Sequence, residues 1–379
     1  MSLSIDERDD LRSTARSLLA RDSSPARVRA TMAEPPGYDR ALWDSMVELG
    51  WTTIHVPEAH GGAGYGYADV AVILHELGRA LTPSPFIASA LLTTGALTLA
   101  ANETLAAELL APIVAGESLG SVALASSDGS YDQARITVDW RSNGGDLQLQ
   151  GSSGFVLDAD LAGVLVVAAR DEHGTIAAIA VDAESPGVRI ERSPTIDETQ
   201  RLFRVSFDDV TVPADRMLSE PGPDASALLD RVLAIGVIAA SCDAVGGAES
   251  FLEQTAAYAS ERMQFGKPIG SFQAVKHHCA NMAIAVEASR AAVRAGMAAL
   301  DGDPETWSTT AAITTSYVGP ACAQACALGM VVYGGIGFTW EHESHLFLKR
   351  AKLDEVLFGT TSWHRRRLAD AVFPTLVAS

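Results

Sequence analysis

Three stretches of this chain carry residue types whose spacing could do chemistry. In DEVLFGTTSW, residues 354–363, the carboxylates Asp354 and Glu355 stand four and three residues before Phe358. A helical reading puts both near its face. A carboxylate there could accept a proton if burial raised its pKa toward the working pH, but a charge pair ahead of an apolar Val-Leu-Phe run reads more simply as solvated helix surface. His342, His345 and His364 are expected at the surface or an interface, since isolated histidines have many structural uses. In ERMQFGKPIGSFQ, residues 261–273, Arg262 offers a guanidinium whose fork suits a diphosphate. Its plain alternative is a helix-end cation favoured by the dipole. In YGGIG, Gly334 and Gly335 admit a close approach that a Cβ would obstruct, or simply stop a helix.

Such residues need a scaffold, and the composition supplies one. The chain has 379 residues, 47% hydrophobic and 20% charged, enough for a sizeable core in two or three packed units. Its net charge of −19 excludes a uniformly basic face for nucleic acid or an anionic membrane. An anionic ligand must therefore be held locally, by a few arginines and helix N-termini. Cys242, Cys279, Cys322 and Cys326 fall in alanine-rich helical stretches without a CxxC pair, which reads as buried free thiols and no metal site. The start, MSLSIDERDDLRSTARSLL, lacks the apolar run of a signal peptide, and no run of about 18 apolar residues suggests a membrane span. The expected location is the cytoplasm.

Residues 1–118 are helical in pattern, as in YADVAVILHELGRAL, interrupted by the glycine-rich loop HVPEAHGGAGYGY. Residues 119–222 turn to alternation and β-branched residues: ARITVDW, LQLQG, GVLVVAAR, GTIAAIAVD and LFRVSFDDVTVP read as strands between Gly, Asn, Asp and Pro turns. From 223 to 379 the helical period returns in three or four long segments, the composition of a helical bundle. The fold class is α+β, in the order α, β, α.

ERMQFGKPIGSFQAVKHHCANMAI and VVYGGIGFTWEHESHLFLKRAKLDEVLFGTT resemble the acyl-CoA dehydrogenase family. LGWTTIHVPEAHGGAGYGYADVAVILHELGRAL and FDDVTVPADRML extend the resemblance over essentially the whole chain. It implies an N-terminal helical domain, a central β-barrel-like domain and a C-terminal four-helix bundle. It also implies an oxidoreductase that uses FAD to remove the α proton and β hydride of an acyl-CoA thioester, with FAD bound across a dimer interface. On that pattern Arg262, Phe265 and Gln273 reach the neighbouring chain's FAD, Gly334 and Gly335 lie close to its adenosine, and Thr360 is a phosphate contact. Val331 stands where the family usually has Gln.

The groups that the resemblance assigns to the chain's own flavin are different. Ala125, in ASSDGSY, replaces a hydroxyl that would bond the flavin ring. Phe155, Val156, Leu157, Asp158 and Ala159 replace a segment that begins with a stacking Trp and carries a hydroxyl where Leu157 stands. Each unpartnered ring edge would cost about 1–3 kcal/mol. The base position before Gly359 and Thr360 holds Phe358, and the position used by a minority of the family falls on Gly236, followed by Val237 instead of Arg. An Arg-Asp-Ala-Lys segment becomes Lys349, Arg350, Ala351 and Lys352.

The expectation is thus a base-less subunit that completes the FAD site of a homologous partner in a heteromer, acting on fatty-acid or sterol side-chain thioesters. Heterotetramers of this sort occur among actinobacterial relatives. The alternatives are a self-sufficient homo-oligomeric dehydrogenase with another base, and a flavin-free scaffold. The electron acceptor implied is an electron-transfer flavoprotein or similar.

Overall fold

The computed structural model describes residues 2–373 and divides into two compact units. One comprises residues 34–66 and 84–236 and contains the sheet; the other comprises residues 2–33, 67–83 and those from 237 onward. Together they realise the expected α, β, α order with eleven α-helices among the described residues.

In the sheet unit, α3 (Arg40–Glu48), α5 (Thr94–Thr98) and α6 (Glu103–Val114) accompany a π-helix, Phe86–Thr93, that the sequence pattern does not reveal. Its wide turns are tied by hydroxyls: Thr93 donates to the Ala88 carbonyl and Thr94 to that of Ala90, while Ser89 accepts the N–H of Gly120. Gly120 opens β1 (Gly120–Ala123). The curled sheet continues with β2 (Val138–Asn143), β3 (Asp146–Leu157), β4 (Val164–Arg170), β5 (Ile176–Asp182), β6 (Val188–Ser193) and β7 (Leu202–Pro213). The strand order is β1-β4-β2-β3-β7-β6, with β5 paired to β4.

β4 is parallel to β1 and antiparallel to β5, and six of its seven residues are buried, which accounts for the unbroken apolar run in its sequence. β7 alternates instead, with Phe203, Val205, Phe207, Val210 and Val212 in the core. The long β3 slips register against β7 between Leu149 and Gly151 and again between Ser153 and Val156. The second slip contains Phe155, whose φ of 53° throws its ring out of the pleat.

In the helical unit, α1 (Ile5–Asp22), α2 (Pro25–Ala33) and α4 (Tyr67–Arg79) are joined by α8 (Gln273–Leu300), α9 (Trp307–Tyr333), α10 (Ser344–Asp354) and α11 (Thr361–Val372). α7 (Pro223–Glu261) is a single 39-residue helix that begins in the sheet unit and ends in the helical one. Within the helical unit α4 and α7 cross at backbone contact. A Cβ on Gly78 would lie 2.2 Å from the Asp243 carbonyl oxygen, and one on Gly246 would lie 2.1 Å from that of His75. Phe251 then stacks on Phe347 at 5.1 Å and on Tyr333 at 5.6 Å. Arg350 on α10 reaches Asp243 on α7 at 2.8 Å, both side chains about 95% buried or more.

Two helical stretches, Pro223–Glu261 and Pro304–Phe338, are long and apolar enough to cross a membrane by composition, which the absence of long apolar runs did not lead one to expect. Their apolar windows are 78% and 50% buried inside the protein, as for core helices. Three of the four thiols are buried as expected, whereas Cys279 is only partly covered.

Candidate functional site

The C-terminal groups are built on a hairpin and two helix ends. After α7 ends at Glu261, β8 (Met263–Gln264) and β9 (Lys267–Pro268) are joined by a two-residue turn. Phe265 and Gly266 sit in it at φ 54° and 77°, the left-handed pair that a tight hairpin requires. Glycine adopts this freely; Phe265 does so under strain, and its ring is 90% exposed. It meets Phe272 edge-on at 6.0 Å, and the Lys267 ammonium stands 4.4 Å from the Phe272 ring centre.

Gln273 opens α8, whose N-cap, Phe272, supplies no side-chain acceptor to the first-turn N–H groups. That end therefore keeps its full positive dipole for an anion. Arg262 is exposed, and its guanidinium makes no hydrogen bond or ion pair among the described residues; only its backbone is engaged, with Tyr258 and Ile269. Tyr258 stacks on Tyr333 at 4.4 Å, which sets the end of α7 beside the end of α9. Gly334 follows at φ 63° and ψ −143°, outside the range of other residues. A Cβ on Gly334 or Gly335 would meet nothing within 4 Å, so the chain itself does not fill the space before this turn. Val331, at the Gln position, is 59% exposed.

Phe358 is buried and lies at φ 66°. Its carbonyl accepts a hydrogen bond of 3.0 Å from Nε2 of His364. Gly359 follows at φ 117°; a Cβ there would be 2.6 Å from the Trp363 ring and 2.9 Å from the His364 imidazole. Thr360 is the exposed N-cap of α11, accepting the Trp363 N–H at 3.3 Å.

His364, expected at the surface, is instead 1% exposed, and burial lowers its pKa to about 4. Its neutral ring is the brace of the turn. The sequence held no signal for this, because a side chain bonded to a main-chain carbonyl six residues back depends on the turn's own geometry. His345 is likewise buried, stacked on Trp340 at 5.0 Å. Asp354 is 3% exposed and not solvated: α10 turns it inward, where its charge helps to raise the Cys322 thiol to about 12, burial being the larger cause. Glu355 does face outward in part, paired with Lys352 at 2.8 Å.

In the sheet unit, the segment from Ala125 to Tyr131 closes on itself. Ser126 donates to Asp128 and accepts the Ser130 N–H, and Arg135 pairs with Asp128. Thr137 accepts the Ser127 N–H at 2.7 Å and donates to the Ser152 carbonyl at 2.7 Å. Ser153 donates to the Ala125 carbonyl at 2.6 Å. Phe155 lies over Gly129, where a Cβ would come within 2.5 Å of its ring. Ala125 and Leu157 are buried and apolar. Gly236 is buried within α7 and offers no side chain.

An uncapped helix start, a guanidinium without a side-chain partner among the described residues and a glycine turn with open space could together hold an anionic ligand. Residues 5–117 match the N-terminal domain of acyl-CoA dehydrogenases and residues 228–373 their C-terminal domain. The acyl-CoA dehydrogenase IpdE2 of Mycobacterium tuberculosis is 31% identical over 97% of this chain and 98% of its own. IpdE2 of Mycolicibacterium smegmatis is 30% identical over 97% and 99%. The chain therefore belongs to the acyl-CoA dehydrogenase family of FAD-dependent oxidoreductases. Among solved structures, the Tcur3481–Tcur3483 steroid acyl-CoA dehydrogenase aligns with a TM-score of 0.88 and 28% identity, covering 99% of each chain. The ChsE4–ChsE5 complex from Mycobacterium tuberculosis aligns at 0.89 and 25% identity, covering 98% of this chain and 99% of the other.

Proposed function

We propose that this chain is the base-less subunit of a heteromeric acyl-CoA dehydrogenase and completes the FAD site of a homologous partner that carries the catalytic glutamate. The observation that carries this reading is Phe358: a buried phenyl, held through its carbonyl by His364, stands where the family places its base. The surroundings agree. Arg262, Phe265 and Gln273 are exposed, and among the described residues their side chains make no hydrogen bond or ion pair, Phe265 meeting Phe272 edge-on.

FAD, when bound, supplies the acceptor for the substrate's β hydride. The C-terminal groups fit it. Arg262 and the start of α8 would hold the diphosphate, Phe265 would cover it, and Gly334 and Gly335 would admit the adenosine. Thr360 accepts the Trp363 N–H and lies 3.1 Å from the Ser362 hydroxyl; with Ser362 as the donor of that pair, the Thr360 proton would be available to a phosphate oxygen. The sheet unit fits FAD poorly, because Ser126, Thr137 and Asp128 are bonded to their own neighbours and Ala125 and Leu157 offer nothing to a ring edge.

The substrate class we propose is a steroid-derived acyl-CoA thioester, on the strength of the likeness to a steroid acyl-CoA dehydrogenase built of two named chains. An electron-transfer flavoprotein or similar acceptor would take the electrons. A self-sufficient homo-oligomer is the second reading. Asp354 is its buried carboxylate, although it lies among the core thiols Cys322 and Cys326.

Flavin per chain tests the two. The protein expressed alone should lack the visible flavin spectrum, and co-expression with a homologous dehydrogenase subunit should give about one FAD per pair. One FAD per chain without a partner, together with turnover, would sink the proposal.

A further inference from the structure

Apart from any flavin, the helical unit contains a charge network that four helices share. On α4, His75 Nε2 lies 2.7 Å from Glu249 Oε2 of α7, and its Nδ1 lies 3.4 Å from Glu76 Oε1. Glu76 is 2% exposed and takes a two-pronged bond from Arg16 of α1, at 2.9 and 2.7 Å. Arg79 of α4 lies 3.6 Å from Glu76 and 3.3 Å from Glu249, and pairs with Glu253 of α7. From α8, Arg290 reaches Glu249 at 2.8 Å and Glu287 at 3.3 Å. The groups facing one another are therefore Glu76, Glu249, Glu253 and Glu287 against Arg16, Arg79, Arg290 and His75. Three of the cations are permanent, so the set balances only when the imidazole carries a proton.

We infer that His75 is a pH-sensitive latch that fastens α4 to α7, closed while the imidazole is protonated and loosened when it is not. Its Nε2–H and Nδ1–H then donate to Glu249 and Glu76 together, which the neutral ring, with one N–H, does not do. Loss of the proton leaves Glu249 and Glu76 short of a positive neighbour in a site where Glu76 is almost fully buried, and the like-charge repulsion between these two carboxylates falls on the α4–α7 contact.

Burial lowers the His75 pKa, but the hydrogen bonds to Glu249 and Glu76 more than reverse this, and the net direction is upward from 6.5. A raised folded-state pKa stabilises fully below the unfolded value and is lost as pH rises through the folded value. The latch thus opens on the alkaline side.

The experiment compares wild type with His75→Gln, which keeps one hydrogen bond to Glu249 and cannot titrate. Amide hydrogen exchange across residues 70–79 of α4, corrected for the intrinsic pH dependence, should lose protection by roughly tenfold in wild type as pH passes the imidazole's pKa. The variant should show pH-independent protection, and α9 should change little in either protein. An NMR titration of the His75 ring in wild type should give a pKa above 6.5, and Glu249→Gln should bring it down. Equal pH profiles in wild type and His75→Gln would overturn the inference. So would a wild-type pKa at or below 6.5, a measurement that stands even if neither variant folds.

Discussion

The hairpin and glycine turn of the helical unit and the 125–131 segment of the sheet unit hold similar groups to opposite ends. In the first, a guanidinium, an aromatic ring and a helix start are left exposed, and no hydrogen bond or ion pair of a side chain among the described residues engages them. In the second, hydroxyls, a carboxylate and a ring are all satisfied by near neighbours. Groups of the sheet segment are bonded within the fold whereas those of the hairpin stay open, and left-handed strain marks both regions, at Phe155 (φ 53°) and at Phe265 (φ 54°).

Glycines give the widest separation between structural and ligand-facing positions. Gly359→Ala puts a Cβ at φ 117° within 2.6 Å of Trp363 and should cost about 3 kcal/mol or more in denaturant unfolding. Gly335→Ala meets nothing within 4 Å and should change stability by less than about 0.5 kcal/mol while weakening FAD retention in the co-expressed complex. If both cost the same in unfolding, the turn before Gly335 is structural and not a binding surface.

Acid comes next. His55 in the sheet unit and His364 in the helical unit are both held to about 4 by burial. A depressed histidine pKa means that the unfolded chain takes up protons first, so stability should fall as pH drops from about 6.5 to about 4. The expected loss is about 2–3 kcal/mol for each imidazole. Urea midpoints at pH 7 and 4.5 measure it, and His364→Gln should remove part of the slope.

Arg262→Ala should weaken FAD retention in the mixed complex roughly tenfold to hundredfold, the worth of about 1.5–3 kcal/mol for a bond to a charged group, with unfolding unchanged. Ser126→Ala in the sheet unit should do the reverse: about 1 kcal/mol of stability lost and FAD retention untouched. Phe358→Glu should produce the smallest effect of all, no turnover by the chain alone. A catalytically active single-chain product from that substitution would show that the sheet unit still supports a flavin.

Much of the fold was legible. GVLVVAAR and GTIAAIAVD are β4 and β5, and LFRVSFDDVTVP is β7, because burial on one or both faces writes itself into apolar runs and alternation. β6 went unread, since VRIERS is half exposed and carries little pattern. Arg262, Phe265, Gln273, Gly334 and Gly335 were singled out by resemblance to the family, and they lie on a hairpin, a helix start and a glycine turn. What supports them was not legible: the slip that turns out Phe155, the burial of Asp354 and the brace from His364 depend on which way a chain bends. Periodicity reports which face is buried but does not give that bend.

The odd reading Lys349-Arg350 also acquires a cause. Arg350 is bound to Asp243, 107 positions earlier in the chain, and neither is reachable by water. Removing one partner of such a pair strands a buried charge at a cost of about 3–5 kcal/mol, whereas replacing both by apolar side chains of like volume is close to neutral. A single change at either site should therefore cost far more stability than a joint exchange of both, so the two positions act on the fold as one unit.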